Sequence, residues 1–189
     1  EDFNLEGVPT TEKLYYKRRE PYRNEENLKF EAEVIKVIDN EWIVLDRTLF
    51  YPQGGGQAYD TGKIEGFDVE EVQKQSGVVL HRTPDHDLNK EDSVIGKVNG
   101  ERRKQLTQHH STTHMVNAGS REELGEHIYQ AGANKTTQKG RLDITHYEKP
   151  NQKTIDQIEQ KVRKIISEDH EINVLKRPKS EAEQKYGFR

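Results

Sequence analysis

The residue types best suited to chemistry stand in the run His110-Ser111-Thr112-Thr113-His114. On a helix, side chains at i and i+4 lie on one face, one above the other, so two imidazoles at this spacing can meet a single zinc ion. The zinc-protease pattern requires a glutamate directly after the first histidine as general base. Here that position is Ser111, which argues against protease chemistry. Zinc asks for four protein ligands, or three and a water. The chain has no cysteine, and His81, His86, His109, His127, His146 and His170 show no second clean pair. The competing reading is an amphipathic helix that carries histidines because the chain is rich in them. Spacing alone leaves both readings open.

A second feature is Tyr51-Pro52-Gln53-Gly54-Gly55-Gly56-Gln57, which reads as a loop or tight turn. Consecutive glycines let backbone N–H groups approach phosphate or ribose oxygens closely. No Gly-Lys-Ser/Thr follows, so this is not a nucleotide-hydrolase phosphate loop, and a plain strand connection is the alternative. Thr48, just upstream, offers a hydroxyl that could discriminate a substrate hydroxyl, or is simply a β-former in a strand. The basic groups Lys17-Arg18-Arg19 and Arg102-Arg103-Lys104 can contact phosphates or form solvated faces. The second group opens a helix, where the dipole disfavours positive charge. Gln130, and Asp143 within the alternating run Arg141–His146, sit on strand-like segments with one wet face, and Asp143 could hold an arginine or a helix N-terminus.

The elements that must position these groups follow from patterning. Residues 1–29 are polar with weak periodicity and read as a linker or arm. Phe30–Ile38 and Glu41–Asp46 are β-branched runs around Asp39-Asn40, a hairpin signal. Short strands are expected at 62–64, 67–73, 78–82 and 94–98, which suggests a small barrel over residues 30–95. Glu101–Ala118 reads as a helix ended by Gly119, with Leu106, His110, Thr113, His114 and Asn117 on one side. Ser120-Arg121-Glu122-Glu123 reads as a capping box opening a second helix. Strands are expected at 128–131, 141–147 and 172–176. A long helix capped by Asn151 runs to about Asp169, its buried face being Ile155, Ile158, Val162, Ile165 and Ile166. The fold class is α+β: a β-rich part, then an α+β core over residues 96–189 with the histidine helix against an antiparallel sheet.

The 189 residues are 30% hydrophobic and 34% charged, well below the usual apolar share of about 45–50%, so the cores are thin and much surface is wet. Partial disorder is the alternative, but the periodic Val, Ile and Leu clusters argue against it. The net charge of −4 gives no global positive field, so any nucleic-acid contact rests on local patches. No run of about 18 apolar residues exists to span a membrane. Both ends read as cuts in a longer polypeptide.

Taken together, Leu45–Gln57, Glu101-Arg102-Arg103, His109–His114 and Arg141–Tyr147 resemble the editing region of archaeal-type alanyl-tRNA synthetase and the related free-standing AlaX-type proteins. The order and spacing match over nearly the whole chain, including Thr11–Tyr16. The resemblance implies hydrolysis of serine or glycine wrongly attached to alanine tRNA. It implies zinc held by His110 and His114 together with a later Cys-x-x-x-His. That half is absent here, so weak zinc binding and weak or no editing are expected of this chain alone. By the same resemblance Gln130 and Thr48 belong to the editing pocket. Gly54, Gly55, Gly56, Gln57, Arg102, Arg103 and Asp143 lie toward the substrate and the tRNA 3′ end. The implied partners are alanine tRNA and the rest of a synthetase with its ATP site, in the cytoplasm. A non-catalytic tRNA-binding module and a structural linker are the alternatives.

Overall fold

The computed structural model describes residues 2–16, 24–171, 175 and 177–186. The Lys17-Arg18-Arg19 cluster and most of the expected strand at 172–176 lie outside the described residues. The fold is α+β and divides into two compact units. One comprises residues 1–108 with 135–138, and the other comprises 109–134 with 139–189.

The first unit is built on a seven-stranded antiparallel sheet of β2 (Lys29–Ile38), β3 (Trp42–Leu45), β5 (Gly62–Ile64), β6 (Phe67–Val69), β7 (Glu71–Gln75), β8 (Val78–Arg82) and β9 (Ser93–Val98). Its order is β6-β5-β9-β2-β3-β8-β7. The strand expected at 67–73 is in fact two strands at opposite rims of the sheet, joined by Glu70 alone, so the sheet curls into a nearly closed barrel. β2 serves both halves: Lys29–Glu33 pair with β9 and Val34–Ile38 with β3, with an irregularity between Val34 and Lys36 where the strand bends. Alternation sends Phe30, Ala32 and Val34 inward from β2, and Val94 and Val98 from β9. The hairpin between β2 and β3 turns at Asp39 and Asn40, with φ of 52° and 55°, the left-handed pair that a two-residue type I′ turn requires.

β3 is buried on both faces because a second apolar layer covers its outside. Phe3, Leu5 and Val8 pack over Trp42, Val44, Val78 and Leu80, with the Phe3 and Trp42 rings edge to face at 5.0 Å. The N-terminal residues are tied down by hydrogen bonds as well. Gln75 exchanges two with the Phe3 backbone, and Thr11 Oγ1 accepts from Val79 N–H at 2.9 Å. Farther along, β1 (Glu12–Lys13) pairs in parallel with β4 (Arg47–Thr48).

α1 (Gly100–Leu124) begins in the first unit and continues into the second. Its start is capped by Asn99, whose side chain accepts from Arg102 N–H at 3.0 Å. The expected break at Gly119 and restart at Ser120 do not occur. Gly119 and Ser120 are buried, and the missing side chain at Gly119 admits Ile158 and Lys161 of α2 (Gln152–Ser167). The helix stops at Gly125, whose φ of 112° is open only to glycine and whose N–H returns to Arg121 O.

β10 (Gln130–Lys135) and β11 (Gly140–Ile144) form a two-stranded sheet, all of it in the second unit except Lys135, which belongs to the first. A Cβ at Gly140 would lie 3.6 Å from the His109 carbonyl oxygen, so β11 starts against α1. α2 is capped by Asn151 as its sequence indicates, through Thr154 N–H at 3.0 Å. Its apolar stripe is only partly covered. Val162 is buried, whereas Ile155 and Ile166 are 42% and 53% exposed, which corrects the expectation of a fully buried face. Lys161 binds α2 to α1 through Glu122 and Glu123, each at 2.9 Å. A further short helix, α3 (Lys179–Tyr186), was not indicated by periodicity.

Candidate functional site

Within the first unit, the glycine run forms a two-residue turn. Gly54 and Gln57 exchange backbone hydrogen bonds of 3.1 and 2.9 Å, and Gly55 and Gly56 occupy the corners with φ of 58° and 75°. A side chain at either corner would be strained, and this is why glycines stand there. Lys135 backs the turn: its N–H donates to Gly56 O at 2.6 Å, its carbonyl accepts from Ala58 N–H, and its ammonium donates to Gly55 O at 2.9 Å. Gln57 is buried while Gly55 and Gly56 are exposed.

Thr48 is fully buried, and its hydroxyl is engaged on both sides. His81 Nδ1 lies 3.0 Å from the Ile43 carbonyl and must carry the proton, so His81 Nε2, at 2.9 Å, accepts from the Thr48 hydroxyl. Thr48 Oγ1 in turn accepts from Phe50 N–H at 3.0 Å. Burial pushes the His81 imidazole down to about 4, partly opposed by its hydrogen bond to the Ile43 carbonyl.

Arg103 lies inside the unit rather than on a phosphate-facing surface. Its Nε reaches both Asp60 oxygens at 3.1 and 3.0 Å, and its Nη2 donates to Leu49 O at 2.7 Å as well as to Asp60. Asp60 also accepts from Tyr51 N–H at 2.7 Å. This fully desolvated pair clamps the start of α1 to the segment that leads into the glycine turn. Arg102 is half-buried, donates to Tyr59 O at 2.9 Å and lies over the Tyr59 ring.

Within the second unit, His110 and His114 stack on α1, ring centroids 5.1 Å apart with 22° between planes. They share one helical face, as their spacing requires. Among the described residues, no group of three His, Cys, Asp or Glu side chains is placed to hold a metal ion. Two imidazoles supply half of a tetrahedral set and do not make a zinc centre by themselves. Gln130 opens β10 with its side chain exposed. Asp143 on β11 is held by Arg141 two residues before it, through contacts of 2.8 and 2.6 Å, and that guanidinium holds its carboxyl below the usual range. A Cβ at Gly132 would lie 2.9 Å from Asp143 Oδ2, so that glycine leaves room for the carboxylate.

Three groupings were not legible from sequence. His127 Nε2 and His146 Nδ1 meet at 2.9 Å, with Tyr147 stacked on the His127 ring and tilted against the His146 ring; the pair is 19 residues apart, so no local spacing marks it. Asp60 meets Arg103 across 43 residues, and Lys135 meets the glycine turn across 80. Only the last left a trace, as the one lysine at the end of an otherwise small-residue strand, Gln130-Ala131-Gly132-Ala133-Asn134-Lys135.

A family model described as "tRNA synthetases class II (A)" matches residues 4–102, just over half of the chain. Among curated relatives, alanine-tRNA ligase of Methanococcus vannielii is 42% identical over 183 residues, covering 96% of this chain and 20% of the relative. The enzyme of that name from Methanocella arvoryzae is 42% identical over 184 residues, covering 97% and 20%. That from Pyrococcus furiosus is 40% identical over 194 residues, covering 100% and 20%. The chain thus spans about a fifth of the length of the curated relatives it matches.

Proposed function

The chain belongs to the class II (A) tRNA synthetases, and on that footing we propose that it is the segment of an alanine-tRNA ligase that removes wrongly attached serine or glycine from alanine tRNA. The observation that carries the reading is the stacked pair His110 and His114, two imidazoles one helical turn apart on one face of α1. In the reaction, water adds to the ester carbonyl, the tetrahedral oxyanion collapses, and the bond to the ribose oxygen breaks, releasing amino acid and tRNA. Zinc, when bound by His110 and His114 with ligands from elsewhere in the ligase, supplies Lewis acidity to this chemistry.

The chain's own groups do the positioning. Gln130, exposed at the head of β10, has an amide that both donates and accepts and can orient the ester or the water. Asp143, fixed by Arg141, keeps a carboxylate beside Gly132 of the same strand pair. Thr48 and Arg103 act as positioning residues, through His81 and Asp60, on the segment that leads to the glycine turn. Gly54, Gly55, Gly56 and Gln57, with Arg102, offer the polar edge toward the tRNA 3′ end. The partners are alanine tRNA and the remaining four-fifths of the ligase with its ATP site, and the setting is the cytoplasm. Among the described residues no helix is long and apolar enough to cross a membrane.

A second reading, a tRNA-binding module with no hydrolytic activity of its own, is favoured by one observation: no third metal-ligating side chain joins the histidine pair among the described residues. Both readings are tested with Ser-tRNA for alanine. The full-length ligase should hydrolyse it, and the His110→Ala/His114→Ala double variant should lose that hydrolysis while keeping aminoacylation. Unchanged hydrolysis in the double variant overturns the editing role. Binding of tRNA by this chain, with hydrolysis by neither protein, supports the second reading.

A further inference from the structure

Lys135 is a buried cation that pairs with no carboxylate among the described residues. The residue is 1% exposed. Among the described residues its ammonium donates only to the Gly55 carbonyl, at 2.9 Å. An unpaired ammonium away from water is costly, and here burial pushes its pKa down. Capping the Gly55 carbonyl calls for a donor but not for a charge, since a neutral side-chain N–H would serve as well. Such a residue is explained if its charge is used.

The turn in front of it shows what the charge could serve. All four of its carbonyls are accounted for: Gly54 O accepts from Gln57 N–H, Gly55 O from the Lys135 ammonium, Gly56 O from Lys135 N–H, and Gln57 O from Gly54 N–H. The donors are not. Neither the Gly55 nor the Gly56 N–H meets an acceptor among the described residues, and both glycines are exposed. The turn therefore presents two donors outward with its acceptors turned inward. A cation hydrogen-bonded to the Gly55 carbonyl polarises the Gly55–Gly56 peptide and strengthens the Gly56 N–H as a donor. Successive backbone amides in a turn can form a concavity that holds an anion.

We propose that Lys135 is the positioning residue and charge source of an oxyanion contact whose donors are the Gly55 and Gly56 amides, taking a phosphate group. Resting on the functional reading above, that phosphate is a phosphodiester of the bound tRNA. The Lys135 ammonium acts from behind the turn and does not touch the ligand. This separates its role from that of an exposed surface lysine, and it sets both the donor geometry and the local potential.

The test uses the whole chain, isotope-labelled, titrated with inorganic phosphate and followed by amide NMR. In the wild type the Gly55 and Gly56 cross-peaks should shift saturably, ahead of any others. Lys135→Arg, which keeps the charge, should retain the response. Lys135→Met, which keeps the length and loses both the charge and the donor to the Gly55 carbonyl, should weaken it about tenfold. Wild-type Gly55 and Gly56 peaks that do not move with phosphate overturn the proposal, whatever the variants do. A folded Lys135→Met protein with wild-type phosphate affinity also overturns it, by showing that Lys135 only fills space. Titration with tRNA on the same samples separates the two readings. A phosphate response without tRNA binding leaves the oxyanion contact standing and refutes the tRNA assignment. Where tRNA binds, Lys135→Met should weaken its affinity in parallel with the loss of the phosphate response.

Discussion

Acid should destabilise this protein through His81 before most carboxylates titrate. The ring is completely buried, and burial lowers it from 6.5 to about 4. Because the folded state holds its proton less tightly than the unfolded chain, the folded state binds fewer protons between those two values. The stability from keeping His81 neutral is therefore intact above about pH 6.5 and is lost as pH falls toward 4. At 1.36 kcal/mol per pH unit the loss reaches about 2 kcal/mol by pH 5 and levels off near 3 kcal/mol below pH 4. There is a local reason for the whole penalty to fall on folding. A second ring proton would sit on Nε2, where the Thr48 hydroxyl now donates, so that hydroxyl would have to rotate its own hydrogen away and lose this acceptor. Urea unfolding at pH 7 and pH 5, in the wild type and in His81→Gln, isolates this one ring. The variant should be weaker at pH 7 and should lose about 2 kcal/mol less than the wild type between the two pH values. Equal losses in both proteins would refute the argument.

Other expectations follow from the same packing. Thr48→Val strands His81 Nε2 and the Phe50 N–H in a dry core and should cost about 2–4 kcal/mol in urea melts, with Thr48→Ser recovering most of it. Asp60→Asn leaves the Arg103 guanidinium buried without its anion and should cost about 3–5 kcal/mol, with little change between low and high salt because the pair is desolvated. After dialysis the chain should retain little zinc, since His110 and His114 are two ligands where four are needed; one tightly held zinc per chain, measured by elemental analysis, would contradict this.

What could be read from the sequence was local. Asp39-Asn40 marked the hairpin because few residues tolerate two left-handed φ values in a row, and Asn151 marked a helix start because its side chain mimics a backbone acceptor. The pairing of His110 with His114 needed only helical periodicity. What could not be read depended on partners distant in the chain. Gly119 looks like a helix stop until Ile158 is seen to pack against it. Arg103 looks like a surface cation until Asp60 is placed beside it, and Thr48 looks like a free hydroxyl until His81 is found to hold it. The run from Phe67 to Gln73 carries the alternation of one strand, and nothing in its pattern shows that Glu70 takes it from one rim of the sheet to the other.

That single-residue passage at Glu70 has a bearing on self-association. A sheet whose two outermost strands are consecutive in the chain offers neighbours only short stretches of open backbone, three residues on β6 and five on β7. Foreign strands adding to such rims gain few hydrogen bonds, so the unit is guarded against edge-to-edge association.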